Sequence, residues 1–138
     1  MRAVVGSDGE RVRVVIADDR PFVRSQLRKL LDAQPDLDVV GMGWSGLEAL
    51  RLVHELEPHV LVLDHDMDDV PGSQIAAHLG DAGMHIRVVL YAIDEGLEDE
   101  GTPHSAATAQ FLLDDDSLRA LMRAIRRPRA APLAARSN

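Results

Sequence analysis

The stretch VLVLDHDMDDVPG, residues 60–72, decides the fold because an apolar, strand-forming run ends abruptly in Asp64. An apolar run without polar alternation is typical of a strand that is buried on both faces, as in a parallel sheet. Acidic and polar side chains follow Asp64 at once, and carboxylates at the tip of such a strand usually lie at the mouth of an α/β sheet. The stretch therefore predicts a buried parallel strand that carries Asp64 to a functional edge.

Other strand-like segments alternate with amphipathic helical segments on both sides of this stretch. The predicted strands are residues 12–17, 38–43, 59–63 and 86–92, with a weaker fifth at 110–113. Alternation of this kind predicts a doubly wound, five-stranded parallel sheet that helices cover on both faces. The fold class is therefore α/β, with functional loops at the carboxyl ends of the strands.

Four helices are predicted from apolar spacing and from end signals. The first begins near Pro21, the second at the capping-box pair Ser45 and Glu48, and the last at Ser117. The third covers about residues 73–79, with Gly80 as its expected stop. The core faces of the first two helices are predicted to include Phe22, Val23, Leu27, Leu30, Leu31, Leu47, Leu50, Val53 and Leu56.

The length of 138 residues suits one domain, and a 46% hydrophobic composition indicates a globular protein. No apolar run is long enough to span a membrane, no signal peptide is visible and cysteine is absent, so a cytoplasmic location is expected. The predicted organisation is an extension at 1–10, one domain at 11–127 and a flexible tail at 128–138.

Three carboxylates are predicted to meet at the carboxyl edge of the sheet. Asp18 and Asp19 follow the first strand, and Asp64 ends the third. Oxygen-rich sites of this kind suit Mg²⁺ or Mn²⁺. The alternative is that Asp18 and Asp19 are solvated loop residues that cap the first helix.

The order strand, Asp-Asp, helix, then strand–Asp–x–x–Met with Gly72 eight residues after the Asp resembles the receiver domain of two-component response regulators. The resemblance covers about residues 11–127, and the last strand and helix are similar to the NarL/FixJ-like subgroup. It implies a flavodoxin-like (βα)5 sandwich with Asp64 as phosphoacceptor. It also implies a metal site formed by Asp18, Asp19, Asp64 and the backbone carbonyl of Asp66.

Four positions depart from the family pattern. Tyr91 stands where receivers have Thr or Ser, Asp114 where they have Lys, Phe111 where they have a switch Tyr, and Asp68 where they have Pro. The chain contains one lysine, Lys29, on the first helix, so no shift of register restores the missing cation. Conventional phosphoryl signalling is therefore expected to be impaired.

Of the four departures, Asp114 has the largest expected effect, because it places a negative charge where the family has a positive one. Two unit charges about 4 Å apart interact by roughly 4 kcal/mol at an effective dielectric constant of about 20, so reversing the sign of one turns attraction into a penalty. The clustered carboxylates of Asp18, Asp19, Asp64 and Asp114 should also repel one another. Either a cation binds among them or some of their pKa values rise.

The segment 92–110 is expected to lack a full fourth helix because it contains Gly96, Gly101 and Pro103. A short helical turn near residues 104–109, or disorder, is predicted instead. This segment belongs to the partner-binding face that the resemblance implies.

The favoured hypothesis is an atypical receiver that acts as a signalling and protein-interaction module rather than an enzyme. Its partner would be a histidine kinase or another signalling protein, or a second copy docked through the last helix. No membrane contact is expected. A net charge of −8 disfavours nucleic-acid binding by this chain, although a longer form would place a DNA-binding output domain after it.

Two alternatives stay open. One is a conventional receiver in which a histidine kinase phosphorylates Asp64 and a metal ion compensates for the missing lysine. The other is a haloacid-dehalogenase-like phosphatase, with Asp64 as nucleophile and Asp66 as general acid/base. Asp68, the short chain and the absence of a downstream lysine count against the phosphatase.

Overall fold

Four apolar segments pair as parallel strands in the computed structural model of the chain, which describes residues 11–91 and 115–127. The strand order is β2-β1-β3-β4. The strands are β1 (Val12–Ala17), β2 (Leu37–Gly43), β3 (Val60–Asp64) and β4 (Arg87–Tyr91). All three pairings are parallel, so the carboxyl ends of all four strands lie at one edge.

The helices that connect or follow these strands are α1 (Pro21–Asp32), α2 (Gly46–Leu56), α3 (Gly72–Asp81) and α4 (Asp115–Arg126). Pro21 occupies the first turn of α1, where its missing N–H costs no hydrogen bond. The Ser45 hydroxyl accepts the backbone N–H of Glu48 at 3.0 Å and caps α2, as the sequence predicts. Helix α2 ends where Glu57 adopts a left-handed conformation before Pro58.

Side chains of β1 alternate between two apolar clusters, one on each face of the sheet. Val14 and Ile16 pack with α1 and α4, while Val15 and Ala17 pack with α2 and α3. Every residue of β3 is buried because helices cover both of its faces. The predicted doubly wound α/β architecture is confirmed.

Several predicted boundaries and core positions are wrong. Helix α3 continues through Gly80 to Asp81, and a Schellman motif with the left-handed Gly83 follows it. In that motif the N–H of Gly83 donates to Gly80 O at 3.0 Å, and the N–H of Met84 donates to Leu79 O at 3.2 Å. Helix α4 begins at Asp115 rather than Ser117. The side chains of Phe22 and Leu47 are exposed, because the buried face of α1 is formed by Val23, Leu27 and Leu31 and that of α2 by Ala49, Leu52 and Val53.

A buried ion pair attaches α4 to the start of β2. The two carboxylate oxygens of Asp36 accept hydrogen bonds from Arg126 at 2.8 and 2.7 Å, and Asp36 has no exposed surface. The hydrogen bonds from Arg126 lower the pKa of the Asp36 carboxyl. This pairing fixes the last helix across the same face of the sheet as α1.

Some predictions lie outside the described residues. They are the extension at 1–10, the helix-poor segment 92–110, the fifth strand at 110–113 with Phe111 and Asp114, and the tail at 128–138. Among the described helices, none has the length and apolar character required to cross a bilayer.

Gly72 allows the loop after β3 to pack tightly against that strand. A Cβ atom at this position would lie 2.7 Å from the backbone oxygen of Asp64 and 2.9 Å from the Cα of His65. Its N–H donates to His65 O at 2.9 Å, which closes the loop. The close approach explains why glycine follows Pro71 here.

We predict that Gly72→Ala destabilises the protein and Gly80→Ala does not. The Gly72 substitution forces backbone atoms apart and should cost about 1–3 kcal/mol. Gly80 lies within the same helix with open space around its Cα, so alanine there should stabilise by about 0.5–1 kcal/mol. Urea unfolding of the two variants beside the wild type measures both effects. Equal stability of the two variants would contradict the packing argument.

Candidate functional site

The predicted acidic cluster forms at the carboxyl edge of β1 and β3. Asp18 and Asp19 follow β1 directly, and Asp64 is the last residue of β3. One oxygen from each carboxylate lies within 4.8 Å of the others. Asp18 is 0% and Asp64 1% exposed, whereas Asp19 is partly exposed. The three carboxylates named from the sequence therefore share one site, and two of them are removed from solvent.

Arg20 holds the side chain of Asp18 through three hydrogen bonds. The Arg20 backbone N–H and Nε–H donate to Asp18 Oδ1 at 2.8 and 3.0 Å, and Nη2 donates to Oδ2 at 3.0 Å. This is the two-pronged geometry in which guanidinium and carboxylate pair most strongly. Burial opposes the charge of Arg20, but the hydrogen bonds and the charge of Asp18 outweigh it and raise the arginine's pKa.

The same guanidinium also reaches Asp64. Arg20 Nη2 lies 3.3 Å from Asp64 Oδ2, and the Arg20 side chain is only 22% exposed. Arg20 thus bridges the two buried carboxylates of the cluster. The sequence analysis missed this cation, and the one local signal for it is that an arginine directly follows the Asp pair in DDRP.

Tyr91 is the second side chain that binds Asp18. It pairs in register with Asp64 at the end of β4, and its hydroxyl donates a hydrogen bond to Asp18 Oδ2. Burial, followed by the charge of Asp18, raises the pKa of the Tyr91 hydroxyl well above its usual range. Tyr91 is therefore a protonated donor inside the site, and its ring packs against the apolar cluster on the α1 face of the sheet.

One feature of the site suits a divalent cation and another does not. Three clustered carboxylates are suitable oxygen donors for Mg²⁺ or Mn²⁺. However, an ionised carboxylate has about four lone-pair positions, and four protein donors from Arg20 and Tyr91 already bind those of Asp18. The arrangement as it stands does not accept an ion at Asp18.

The loop after β3 is fixed by backbone N–H groups. The Asp66 N–H donates to Asp64 Oδ1 at 3.1 Å, and the Asp68 N–H donates to Asp19 Oδ2 at 3.3 Å. A proline at position 68 would lack that N–H, so the departure from the family pattern has a structural consequence. The Asp69 carboxylate accepts the N–H groups of Gly46 and Leu47 at 2.9 and 3.1 Å, which ties the loop to the start of α2.

The Asp66 side chain points away from the cluster toward His65. Asp66 Oδ1 lies 3.2 Å from His65 Nδ1, and the two side chains are 60% and 47% exposed respectively. The described contact of Asp66 with the cluster is through its N–H, and a ligand role for its carbonyl stays a prediction. Phe111 and Asp114 lie outside the described residues.

Burial and repulsion change the acidity of the cluster. Burial, with the neighbouring charge of Asp18, raises the pKa of Asp64 to about 6, although Arg20 and the Asp66 N–H oppose the shift. Burial also raises the pKa of Asp19. The raised pKa values agree with the expectation of repulsion within the cluster, while binding of a metal ion there stays a prediction.

Comparison with known proteins gives a consistent family match. The sequence matches the response regulator receiver domain family over residues 14–126. It is 39% identical over 84 residues to the transcriptional regulatory protein BtsR of Salmonella typhi, covering 61% of this chain and 35% of that protein. It is 25% identical over 127 residues to the nitrate/nitrite response regulator protein NarL of Escherichia coli K12, covering 92% and 59%. The chain thus spans about a third to three fifths of these relatives' lengths.

Solved structures share the fold. The signal receiver domain of the response regulator NarL from Mycobacterium tuberculosis superposes with a TM-score of 0.65 at 24% identity, covering 86% of this chain and 98% of that one. The response regulator domain of Thermotoga maritima CheB gives a TM-score of 0.58 at 29% identity, covering 73% and 72%.

We predict that Asp64 makes stability depend on pH between about 4 and 6 in metal-free buffer. Its folded pKa of about 6 lies above the ordinary value of 3.8, so the folded protein binds this proton more tightly than the unfolded chain. The stabilisation is present below about pH 4 and is lost as the pH rises through 6. Asparagine does not ionise, so the free energy of unfolding of Asp64→Asn should not fall in this pH range because of residue 64. At pH 7 the variant should be more stable than the wild type by on the order of 2 kcal/mol.

Urea unfolding across this pH range measures the effect. Asp32→Asn is the matched control, because it removes an exposed carboxylate whose partner is Arg28 and should change stability by no more than about 1 kcal/mol. A wild-type profile parallel to that of Asp64→Asn would show that Asp64 is not the responsible group.

Proposed function

The chain belongs to the response regulator receiver domain family, and we propose that it is an atypical receiver that works without conventional phosphorylation-dependent switching. In this proposal Asp64 occupies the phosphoacceptor position but is not routinely phosphorylated. The domain acts as a signalling and protein-interaction module in the cytoplasm, and no residue is assigned a catalytic role.

The contact between Tyr91 and Asp18 carries the proposal. In receivers the Thr or Ser at this position moves its hydroxyl to the phosphoryl group on the neighbouring aspartate. Here the hydroxyl already donates to a buried carboxylate, and hydrogen bonds to charged groups contribute about 1.5–3 kcal/mol. Moving it toward Asp64 would cost that bond and leave Arg20 Nη2 as the remaining described donor to Asp18 Oδ2.

The charges near Asp64 also oppose a phosphoryl group. A phosphoryl group adds negative charge beside Asp18 and Asp19, and the family's compensating lysine is replaced by Asp114 in the sequence. The one lysine of the chain, Lys29, lies in the last turn of α1, away from the carboxyl edge of the sheet. Arg20 lies beside Asp64, but its guanidinium also pairs with Asp18, so phosphorylation lacks the usual offset for its added charge.

Exposed apolar side chains at the carboxyl edge support an interaction role. Phe22, Trp44 and Leu47 are 46%, 59% and 63% exposed, and they lie in the first turn of α1, directly after β2 and in the first turn of α2. Exposed large apolar groups that are grouped on one edge are typical of protein contact sites. The proposed partner is a histidine kinase, another signalling protein or a second copy of the chain. A DNA-binding output domain would belong to a longer form.

A conventional receiver is the second candidate, and the contact between the Asp66 N–H and Asp64 favours it because it holds Asp64 in a fixed orientation. The phosphatase alternative is weaker. It needs the Asp66 carboxylate beside the substrate, whereas that carboxylate pairs with His65 and is 60% exposed.

Reaction with a small acyl phosphate tests the proposal without a cognate kinase. We predict that the wild type, incubated with acetyl phosphate and Mg²⁺, gains no phosphoryl group by intact-mass spectrometry, because Tyr91 and the local charge disfavour the product. Tyr91→Thr should raise the modified fraction, since it removes the hydroxyl that is held by Asp18 Oδ2 and supplies a mobile one. Asp64→Asn controls for modification elsewhere.

Efficient modification of the wild type that disappears in Asp64→Asn would favour the conventional receiver. Modification that persists in Asp64→Asn would lie at another residue and would leave Asp64 unphosphorylated, as proposed.

A further inference from the structure

We propose that Arg20 is a tethered cation that takes the place of the divalent metal ion in the acidic cluster. A free ion then binds only when the guanidinium leaves. This inference concerns the resident cation and stands apart from the proposal about phosphorylation, because it depends on the contacts of Arg20 rather than on the acceptor chemistry of Asp64.

The first support is the position of the guanidinium. Its Nη2 contacts Asp18 Oδ2 at 3.0 Å and Asp64 Oδ2 at 3.3 Å, so it bridges two of the three carboxylates of the candidate metal-binding cluster. Its Nε and backbone N–H bind the remaining oxygen of Asp18. An ion that coordinates Asp18 must break at least one of these bonds.

The second support is that the backbone holds Arg20 in place. Arg20 precedes Pro21, and a residue before proline is confined to extended conformations. Arg20 has φ −100° and ψ 115°, within that region, at the N-cap of α1. Pro21 therefore limits the backbone freedom of Arg20 next to Asp18, while the arginine side chain still loses rotamer freedom when it pairs.

The third support is charge. Three carboxylates and one guanidinium leave a smaller negative charge for an incoming ion than the carboxylates alone would present. A guanidinium remains protonated at any physiological pH, so its charge does not vary with conditions. Unlike a bound ion, it is not removed by a chelator, and the cluster is partly neutralised in the absence of metal.

The decisive experiment measures Mg²⁺ affinity by calorimetry for the wild type, Arg20→Gln and Arg28→Gln. Arg28 lies on α1 and pairs with the exposed Asp32, so its variant has the same net charge as Arg20→Gln without touching the cluster. We expect Arg20→Gln to bind Mg²⁺ at least about tenfold more tightly than the wild type, because one positive charge is removed at close range. Arg28→Gln should bind like the wild type. Equal affinities for all three proteins, or weaker binding by Arg20→Gln, would overturn the proposal.

A second measurement on the wild type keeps the test decisive if Arg20→Gln does not fold. The Nε–H resonance of Arg20 reports its bond to Asp18 in a ¹⁵N spectrum. During a Mg²⁺ titration, amide shifts at Asp64 with an unchanged Arg20 Nε–H signal would show that the two cations coexist, which contradicts the proposal. No shift at Asp64, or loss of the Nε–H signal in step with those shifts, is the expected result. Neither outcome depends on whether Asp64 accepts a phosphoryl group.

Discussion

Asp18 is a carboxylate without solvent exposure, and the arrangement of the carboxyl edge depends on how its charge is satisfied. A buried ion is costly unless it is paired and fully hydrogen-bonded. Arg20 and Tyr91 together provide four donors, and each donor is fixed by another part of the fold. Arg20 is fixed by Pro21 at the start of α1, and Tyr91 by its pairing with β3. One buried charge therefore connects β1, α1 and β4.

The binding of Asp18 by Arg20 and Tyr91 conflicts with what a phosphorylation switch requires. A switch needs an acidic pocket that stays open to a metal ion, a hydroxyl that is free to move and a cation that receives the phosphoryl oxygens. Here the cation already bridges Asp18 and Asp64, and the hydroxyl of Tyr91 is already bound. Asp64 meanwhile keeps a pKa of about 6, because one guanidinium does not fully offset its burial and its acidic neighbours. The receiver fold is retained, while the charged and polar side chains at the carboxyl edge of the sheet bind one another.

The sequence predicted the fold and the acidic cluster because both follow from strong local signals. Apolar runs that end in Asp18 and Asp64 are sufficient to place those carboxylates at one edge of a parallel sheet. The role of Arg20 was missed because a basic residue in a loop normally points to solvent, and its pairing depends on β3, which lies far away in the sequence. The hydrogen bond of Tyr91 was not predicted, since the position of Asp18 opposite its hydroxyl appears only in three dimensions. Phe22 and Leu47 are exposed because tertiary packing decides which face of each helix turns toward the sheet, and helical periodicity alone does not report that face.

Amide NMR with Mg²⁺, before and after addition of beryllofluoride, tests most directly whether the carboxyl edge is closed to a phosphoryl group. Beryllofluoride mimics an aspartyl phosphate and requires no kinase, and Asp64→Asn provides the control. The account predicts spectra that do not change around Asp64, Arg20 and Tyr91 in either protein. Shifts at these residues in the wild type that are absent from Asp64→Asn would show that the pocket opens to a phosphoryl group, and would contradict the account.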